Sequence, residues 1–207
     1  MDEGPPRILI LFAHPSIDRS EVNVELLAAS RATPGVTVVD LYGEYPQLQI
    51  DINREQQRLL EHDIIIFMFP LYWYSTPSLL KEWQDLVLEY GFAYGEGGTA
   101  LQDKVLLCSL TAGGAETAYC SQGSNQFTLR ELLRPLEQTA TLCGMRFLAP
   151  FVLFGSRSAL EEGRIDCHVR DWRRVLQALH EGCFDLAQAE KVDHLNDHLD
   201  RLTLESA

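Results

Sequence analysis

The stretch "DIIIFMFPLYWYSTPSLLKEWQDLVLEY", Asp63 to Tyr90, sets a strand, a loop and a helix in immediate succession. "DIIIFMF" is a continuous apolar run, too short for a helix and without polar alternation, which predicts a strand buried on both faces. In "PSLLKEWQDLVLEY", Leu79, Leu80, Trp83, Leu86, Val87 and Tyr90 recur at helical spacing, and Pro77 is tolerated in the first turn. Between them stand Tyr72, Trp73 and Tyr74. Three adjacent rings cannot all enter one core from the end of one strand, so this loop is a candidate for contact with a ligand.

The same alternation extends in both directions. "RILILFA" (Arg7 to Ala13), "VTVVDLY" after the turn signal Pro34-Gly35, "KVLLCSL" and "RFLAPFVLF" predict four more buried strands. Helices are predicted over "SEVNVELLAAS", with Ser20 as N-cap and Val22, Leu26 and Leu27 on one stripe, over "NREQQRLLEH", over "TLRELLRPLEQTATLCG", and from Ala159 to about Gln188. "GFAYGEGGTALQD" and "TAGGAETAYCSQGSNQF" predict loops. Strands alternating with helices imply an α/β class, a mainly parallel sheet covered on both faces. No repeat, low-complexity segment or linker interrupts it. The expected division is an N-terminal tail over 1–6, one domain over 7–188 and a helical extension over 189–207. In that extension His194 and His198 lie four apart, beside Asp193 and Asp197; the pattern reads as a solvated polar face, and no metal site is assigned.

Composition narrows the function classes. With 207 residues, 46% of them hydrophobic, the chain can bury one substantial core. A net charge of −13 without a basic run disfavours nucleic acid and anionic lipid. The start "MDEGPP" lacks the basic region of a signal peptide, and no apolar stretch approaches the ~18 residues of a membrane span. The expectation is a soluble, cytoplasmic protein. Five scattered cysteines without a C-x-x-C pair read as reduced thiols, buried or half-buried.

In open parallel sheets ligands gather beyond the carboxyl ends of the strands. After the first strand, His14 precedes a loop ending at Ser20 and Asn23, where a helix begins and could hold a phosphate; capping by Ser20 and a structural His14 is the other reading. No G-x-G-x-x-G, P-loop or G-x-S-x-G signature is present, which leaves a flavodoxin-type nucleotide as the better fit. After the fourth strand, Gly113 and Gly114 would let the backbone approach a flat ligand, with Thr111 and Tyr119 as hydroxyl donors. Tyr72, Trp73 and Tyr74 could then wall a broad π-system.

Taken together, "AHP", "S-x-x-N", "PLYWYSTPSLLKEW", "GFAYGEGGTAL" and "LTAGGAE" resemble the flavodoxin-like NAD(P)H:quinone oxidoreductases. "DLYGEYPQLQIDINREQ" is similar to the ancillary proteins of bacterial glutathione-regulated potassium-efflux systems. The resemblance implies a flavodoxin-like three-layer sandwich with a five-stranded parallel sheet in the order 2-1-3-4-5. It implies ping-pong two-electron transfer from NADH or NADPH through FMN, or FAD as the alternative, to a quinone. His14, Ser20, Glu21, Val22 and Asn23 would hold the phosphate end. Pro70, Leu71, Tyr72, Trp73 and Tyr74 would line the flavin ring, and Thr111, Ala112, Gly113 and Gly114 would bond its pyrimidine edge. Gly113, Gly114 and Tyr119 would stabilise charge on the reduced flavin, and Tyr94 would arrive from the partner of a homodimer. A histidine common in the family is Asn125 here, which cannot take up a proton near neutral pH. The resemblance also implies a potassium-efflux antiporter as a partner, placing the protein at the cytoplasmic face of the inner membrane. A non-catalytic regulatory partner and a one-electron flavodoxin-type carrier are the alternatives.

Overall fold

Alternate residues of β1 (Ile8–Phe12) serve two different cores. Ile8, Ile10 and Phe12 enter one apolar cluster and Leu9 and Leu11 the other, because successive strand side chains point to opposite faces. The computed structural model describes residues 4–204; residues 1–3 of the expected tail, and 205–207 at the other end, lie outside the described residues. In it β2 (Val36–Asp40), β1, β3 (Ile64–Pro70), β4 (Val105–Thr111) and β5 (Arg146–Phe147) form a parallel sheet in the order β2-β1-β3-β4-β5. This is the flavodoxin-like topology.

α1 (Glu21–Arg31) and α7 (Ile165–His180) cover one face. α3 (Ile52–Leu60), α4 (Ser78–Val87), α5 (Leu129–Leu132) and α6 (Arg134–Leu142) cover the other, so β1, β3 and β4 are buried throughout, whereas β2, expected as a buried strand, is the sheet's edge and buries only Val39 fully. Register aligns the carboxyl ends: Phe12 pairs with Met68, and Pro70 with Thr111. Strand order reverses between β1 and β3, which opens a crevice at that edge.

The stretch "DLYGEYPQLQIDINREQ", which holds α2 (Leu41–Glu44) and the start of α3, is organised around Glu55, a fully buried carboxylate. It accepts from Tyr45 Oη at 2.6 Å and Trp83 Nε1 at 2.9 Å and pairs with Arg58. Its charge is tolerated in the interior because every contact is a donor or a cation.

Several elements depart from the sequence expectation. The fifth strand is split, with β6 (Phe151–Leu153) also pairing with β4. Pro150 has no N–H for the ladder, and Ala149 N donates to Ala189 O instead. α4 stops at Val87, so Tyr90 is not on its stripe and is exposed. The long helix expected from Ala159 begins only at Ile165 and ends at His180; Gly163 and Gly182 flank it in left-handed conformations. Beyond it lies α8 (Leu186–Ala189). The expected C-terminal helix is one 3₁₀ turn and α9 (Leu199–Leu202), and Leu195, Leu199 and Leu202 are buried in the α1/α7 core. Among the cysteines none is disulfide-bonded; Cys108 and Cys143 are buried, but Cys120 and Cys167 are exposed.

Candidate functional site

His14 follows β1 directly and is buried. Its Nδ1 accepts from Ser16 N at 3.1 Å, so the ring proton sits on Nε2, which remains a donor. Burial lowers its pKa against the opposing influence of Asp18 and Asp40, which keeps the ring neutral at pH 7. Ser20 does cap α1, its Oγ accepting from Asn23 N at 3.2 Å and Asn23 Nδ2 at 2.8 Å. The hydroxyl hydrogen is left to donate elsewhere. The amides of Glu21 and Val22, in the first turn of α1, have no acceptor among the described residues. Open amides at the positive end of a helix are an anion site.

Thr111 ends β4 on the far side of the crevice, where Asn23 Nδ2 donates to its Oγ1 at 3.1 Å. Asn23 Oδ1 is buried and has no donor. These groups border a cavity of about 580 Å³ that His14, Ser20, Glu21, Val22, Asn23, Pro70, Tyr72 and Thr111 share. Residues from all three expected segments thus meet at one place. Sequence reasoning missed Arg19 and Arg157, which line the same cavity. Neither forms a salt bridge among the described residues, although acidic groups outnumber basic ones 30 to 17. These two guanidinium groups face the Glu21 carboxylate in the lining of the same cavity, so cationic groups outnumber the acidic one there, against the balance of the whole chain. Arg157 had a sequence signal: it follows the fifth strand at the same carboxyl edge.

The aromatic loop is a tight hairpin turn. Tyr72 and Ser75 exchange both backbone hydrogen bonds at 3.0 Å, while Trp73 and Tyr74 hold φ of 49° and 63°. Two consecutive positive φ values are the geometry of a type I′ turn, which favours Asn-Gly and strains larger residues. Only Pro70 and Tyr72 reach the cavity lining; Tyr72 lies edge-on to His14 at 6.3 Å. Leu71 and Tyr74 stay outside it, and Trp73 is 93% exposed. Of the three rings expected to wall a ligand, that of Tyr72 borders the cavity and those of Trp73 and Tyr74 do not.

Ala112 N donates to Leu153 O, while Gly114 O and Ala112 O accept from Gly155 N and Ser156 N, which fastens the glycine loop to the loop after β6. A Cβ on Gly113 would lie 3.4 Å from Arg157 Nε, and one on Gly114 would lie 3.3 Å from the Tyr119 ring. Arg157 and Tyr119 therefore cover the two glycines. Neither glycine lines the cavity, nor does Tyr119, which packs against Phe154 at 5.4 Å. Burial raises the Tyr119 pKa, helped by neighbouring Tyr74 and opposed by the Gly114 amide and Asn125, so its phenol keeps its proton. Asn125 also accepts from Tyr74 Oη at 3.3 Å and so stands between the two tyrosines. Tyr94 lies apart, edge-on to Tyr90, beside a separate groove with Lys81 and Leu142. His194, read from the sequence as part of a solvated polar face, lies in a cluster with Glu116 and Asp197.

A family model described as flavodoxin-like fold matches residues 6–176. An uncharacterized NAD(P)H oxidoreductase of Bacillus subtilis is 45% identical over 72% of this chain and 86% of its own length. A glutathione-regulated potassium-efflux system ancillary protein of Cronobacter sakazakii is 47% identical over 82% of this chain and 92% of its own. The crystal structure of a general stress protein 14 from Treponema denticola in complex with FMN aligns with a TM-score of 0.79 at 38% identity, covering 84% of this chain and 99% of that one. No helix among the described residues is long and apolar enough to cross a membrane.

Proposed function

The chain belongs to the flavodoxin-like fold family, and on that premise we propose that it is an NAD(P)H:quinone oxidoreductase binding FMN along the carboxyl edge of its sheet. The cavity carries this reading. At one end the Glu21 and Val22 amides, the Ser20 hydroxyl, His14 Nε2–H and two arginines suit a terminal phosphate. Buried Asn23 Oδ1 lacks a donor, and a ribityl hydroxyl would supply one. Two arginines suit the dianionic terminus of FMN better than the diester phosphates of FAD.

Bound there, FMN supplies two-electron chemistry in ping-pong order, from NADH or NADPH to a quinone. The protein holds the group and places charge. The Gly113 N–H has no acceptor among the described residues and, with the Tyr119 hydroxyl, provides donors for the edge that gains negative charge. The exposed rings of Tyr72, Trp73 and Tyr74 leave the outer side of the site open. A second copy presenting its Tyr94 segment would cover it and exclude water, which makes a homodimer the proposed working form.

Regulation of a potassium-efflux antiporter at the cytoplasmic membrane face is a compatible second role, favoured by the 47% identity to an ancillary protein of such a system. The deciding experiment is titration of purified chain with FMN, followed by anaerobic addition of NADPH and then a quinone. Uptake of one flavin per chain, bleaching and reoxidation are expected. A chain that takes up neither FMN nor FAD at high micromolar concentration refutes the enzymatic reading.

A further inference from the structure

We propose that His194, in the segment beyond the family match, is a positioning residue that latches the Glu116–Tyr119 turn; its catalytic consequence rests on the flavin reading above. The match ends at residue 176, so His194 lies outside the segment matched to the family while Glu116 lies within it. The loop over 115–126 has little else to hold it. Every backbone hydrogen bond that its amides donate is accepted within the loop itself, from Ala118 N to Ala115 O through Gln126 N to Gly123 O. Among the described residues, two side-chain hydrogen bonds tie it to the rest of the molecule: Tyr74 Oη to Asn125 Oδ1 at 3.3 Å, and His194 Nε2 with Glu116 Oε1 at 3.0 Å.

The latch has a rigid base. Leu195 N donates to Pro150 O at 2.9 Å and Asn196 Oδ1 accepts from Val152 N at 3.0 Å, so the residues after His194 are stitched to the sheet edge. On the other side Arg130 Nη1 donates to Val192 O at 2.6 Å. The His194 ring meets the edge of Phe154 at 6.0 Å, and Phe154 packs on Tyr119. Tyr119 N in turn donates to Glu116 O at 2.8 Å. Tyr119 is thus held through its backbone by Glu116 and through its ring by Phe154, and His194 touches both supports.

The tautomer selects a hydrogen bond over a metal bridge through Asp197, whose Oδ2 lies 3.7 Å from Nε2. A metal on Nε2 would put the proton on Nδ1, which is buried without an acceptor. A proton on Nε2 donates to Glu116 and leaves Nδ1 a bare acceptor, a cheaper state to bury.

The test uses hydrogen exchange of the 115–126 amides in the flavin-free chain, alongside flavin reduction by NADPH in the loaded one. His194→Ala and Glu116→Ala should each speed exchange about fivefold, the equilibrium factor of one hydrogen bond. The double variant should match His194→Ala, because among the described residues Glu116 reaches the rest of the molecule only through His194. His194→Gln keeps a neutral N–H donor and should restore wild-type exchange. In the loaded protein, His194→Ala should slow flavin reduction several-fold while FMN affinity stays within about twofold, since the phosphate end is untouched. Unchanged exchange in His194→Ala, additive single variants, or faster exchange of wild type on adding a chelator would each overturn the latch. Faster exchange with an unchanged reduction rate would overturn its catalytic consequence. Failure of the wild type to bind flavin would defeat the proposed function, while flavin-free exchange still decides the latch.

Discussion

Trp73→Gly separates folding from function at a single residue. Trp73 is 93% exposed, so removing its ring uncovers less than about 20 Å² of buried surface, worth ~0.5 kcal/mol or less. Its φ of 49° lies in the left-handed region, where a residue with a Cβ is disfavoured by ~1–2 kcal/mol and glycine is not. Glycine returns ~0.5–1 kcal/mol of this as greater freedom in the unfolded chain. The balance is centred on a gain of ~0.5 kcal/mol, within about −0.5 to +1.5, which corresponds to a rise in Tm of about 1–2 °C for a chain of this size. If the ring contacts flavin in the assembled site, the same change removes ~0.5–1.5 kcal/mol of aromatic contact and raises the FMN Kd about two- to tenfold. Thermal melts of the flavin-free chain and fluorescence titration with FMN measure the two effects separately. A fall in Tm of more than about 2 °C would mean that Trp73 is packed in the folded protein in solution, and an unchanged Kd would remove the Trp73 ring from the site. Trp83→Ala is the opposite case. That side chain is fully buried and donates to Glu55, so truncation should cost ~3–5 kcal/mol while leaving FMN affinity of the folded fraction intact.

Tyr119→Phe should slow the NAD(P)H half-reaction by about 10- to 100-fold and largely preserve flavin binding, read by stopped-flow bleaching; a wild-type rate removes Tyr119 from charge stabilisation. Arg157→Gln should weaken FMN about tenfold more than riboflavin, because only FMN carries the phosphate; equal losses would place the guanidinium at the ring instead. His168 is buried against Phe151, and burial, with Arg164 nearby, lowers its pKa to about 4. The unfolded chain, with a histidine pKa of ~6.5, binds this proton first, so stability should fall as pH drops from ~6.5 toward 4, by on the order of 3 kcal/mol. His168→Phe should flatten that limb in urea titrations at pH 7, 5.5 and 4.5; an unchanged slope would assign the acid sensitivity to other groups.

Much of the site was legible along the chain because its signals are local. The run Ile8–Phe12 can only be a strand buried on both faces, and Ser20 and Asn23 mark a helix start whatever the remainder does. Once strands and helices alternate, topology brings the segments after β1, β3 and β4 to one edge, and the shared cavity follows. Residues whose placement depends on distant partners were not legible. Arg157 enters the cavity because Gly155 and Ser156 are bonded to the glycine loop, some forty residues earlier in the chain. The C-terminal segment carries charges that suggest a solvated helix. Its leucines nevertheless fill the α1/α7 core, and His194 meets Glu116, 78 positions away. Trp73 and Tyr74 have side chains that argue against left-handed backbone, yet the paired bonds of Tyr72 and Ser75 close a turn that requires it. Periodicity and capping operate within a few residues, so the sequence alone determined the elements and the edge where they meet. Hydrogen bonds and packing between remote segments decide which side chains enter the site and how firmly they are held, and those bonds exist only once the sheet has brought the segments together.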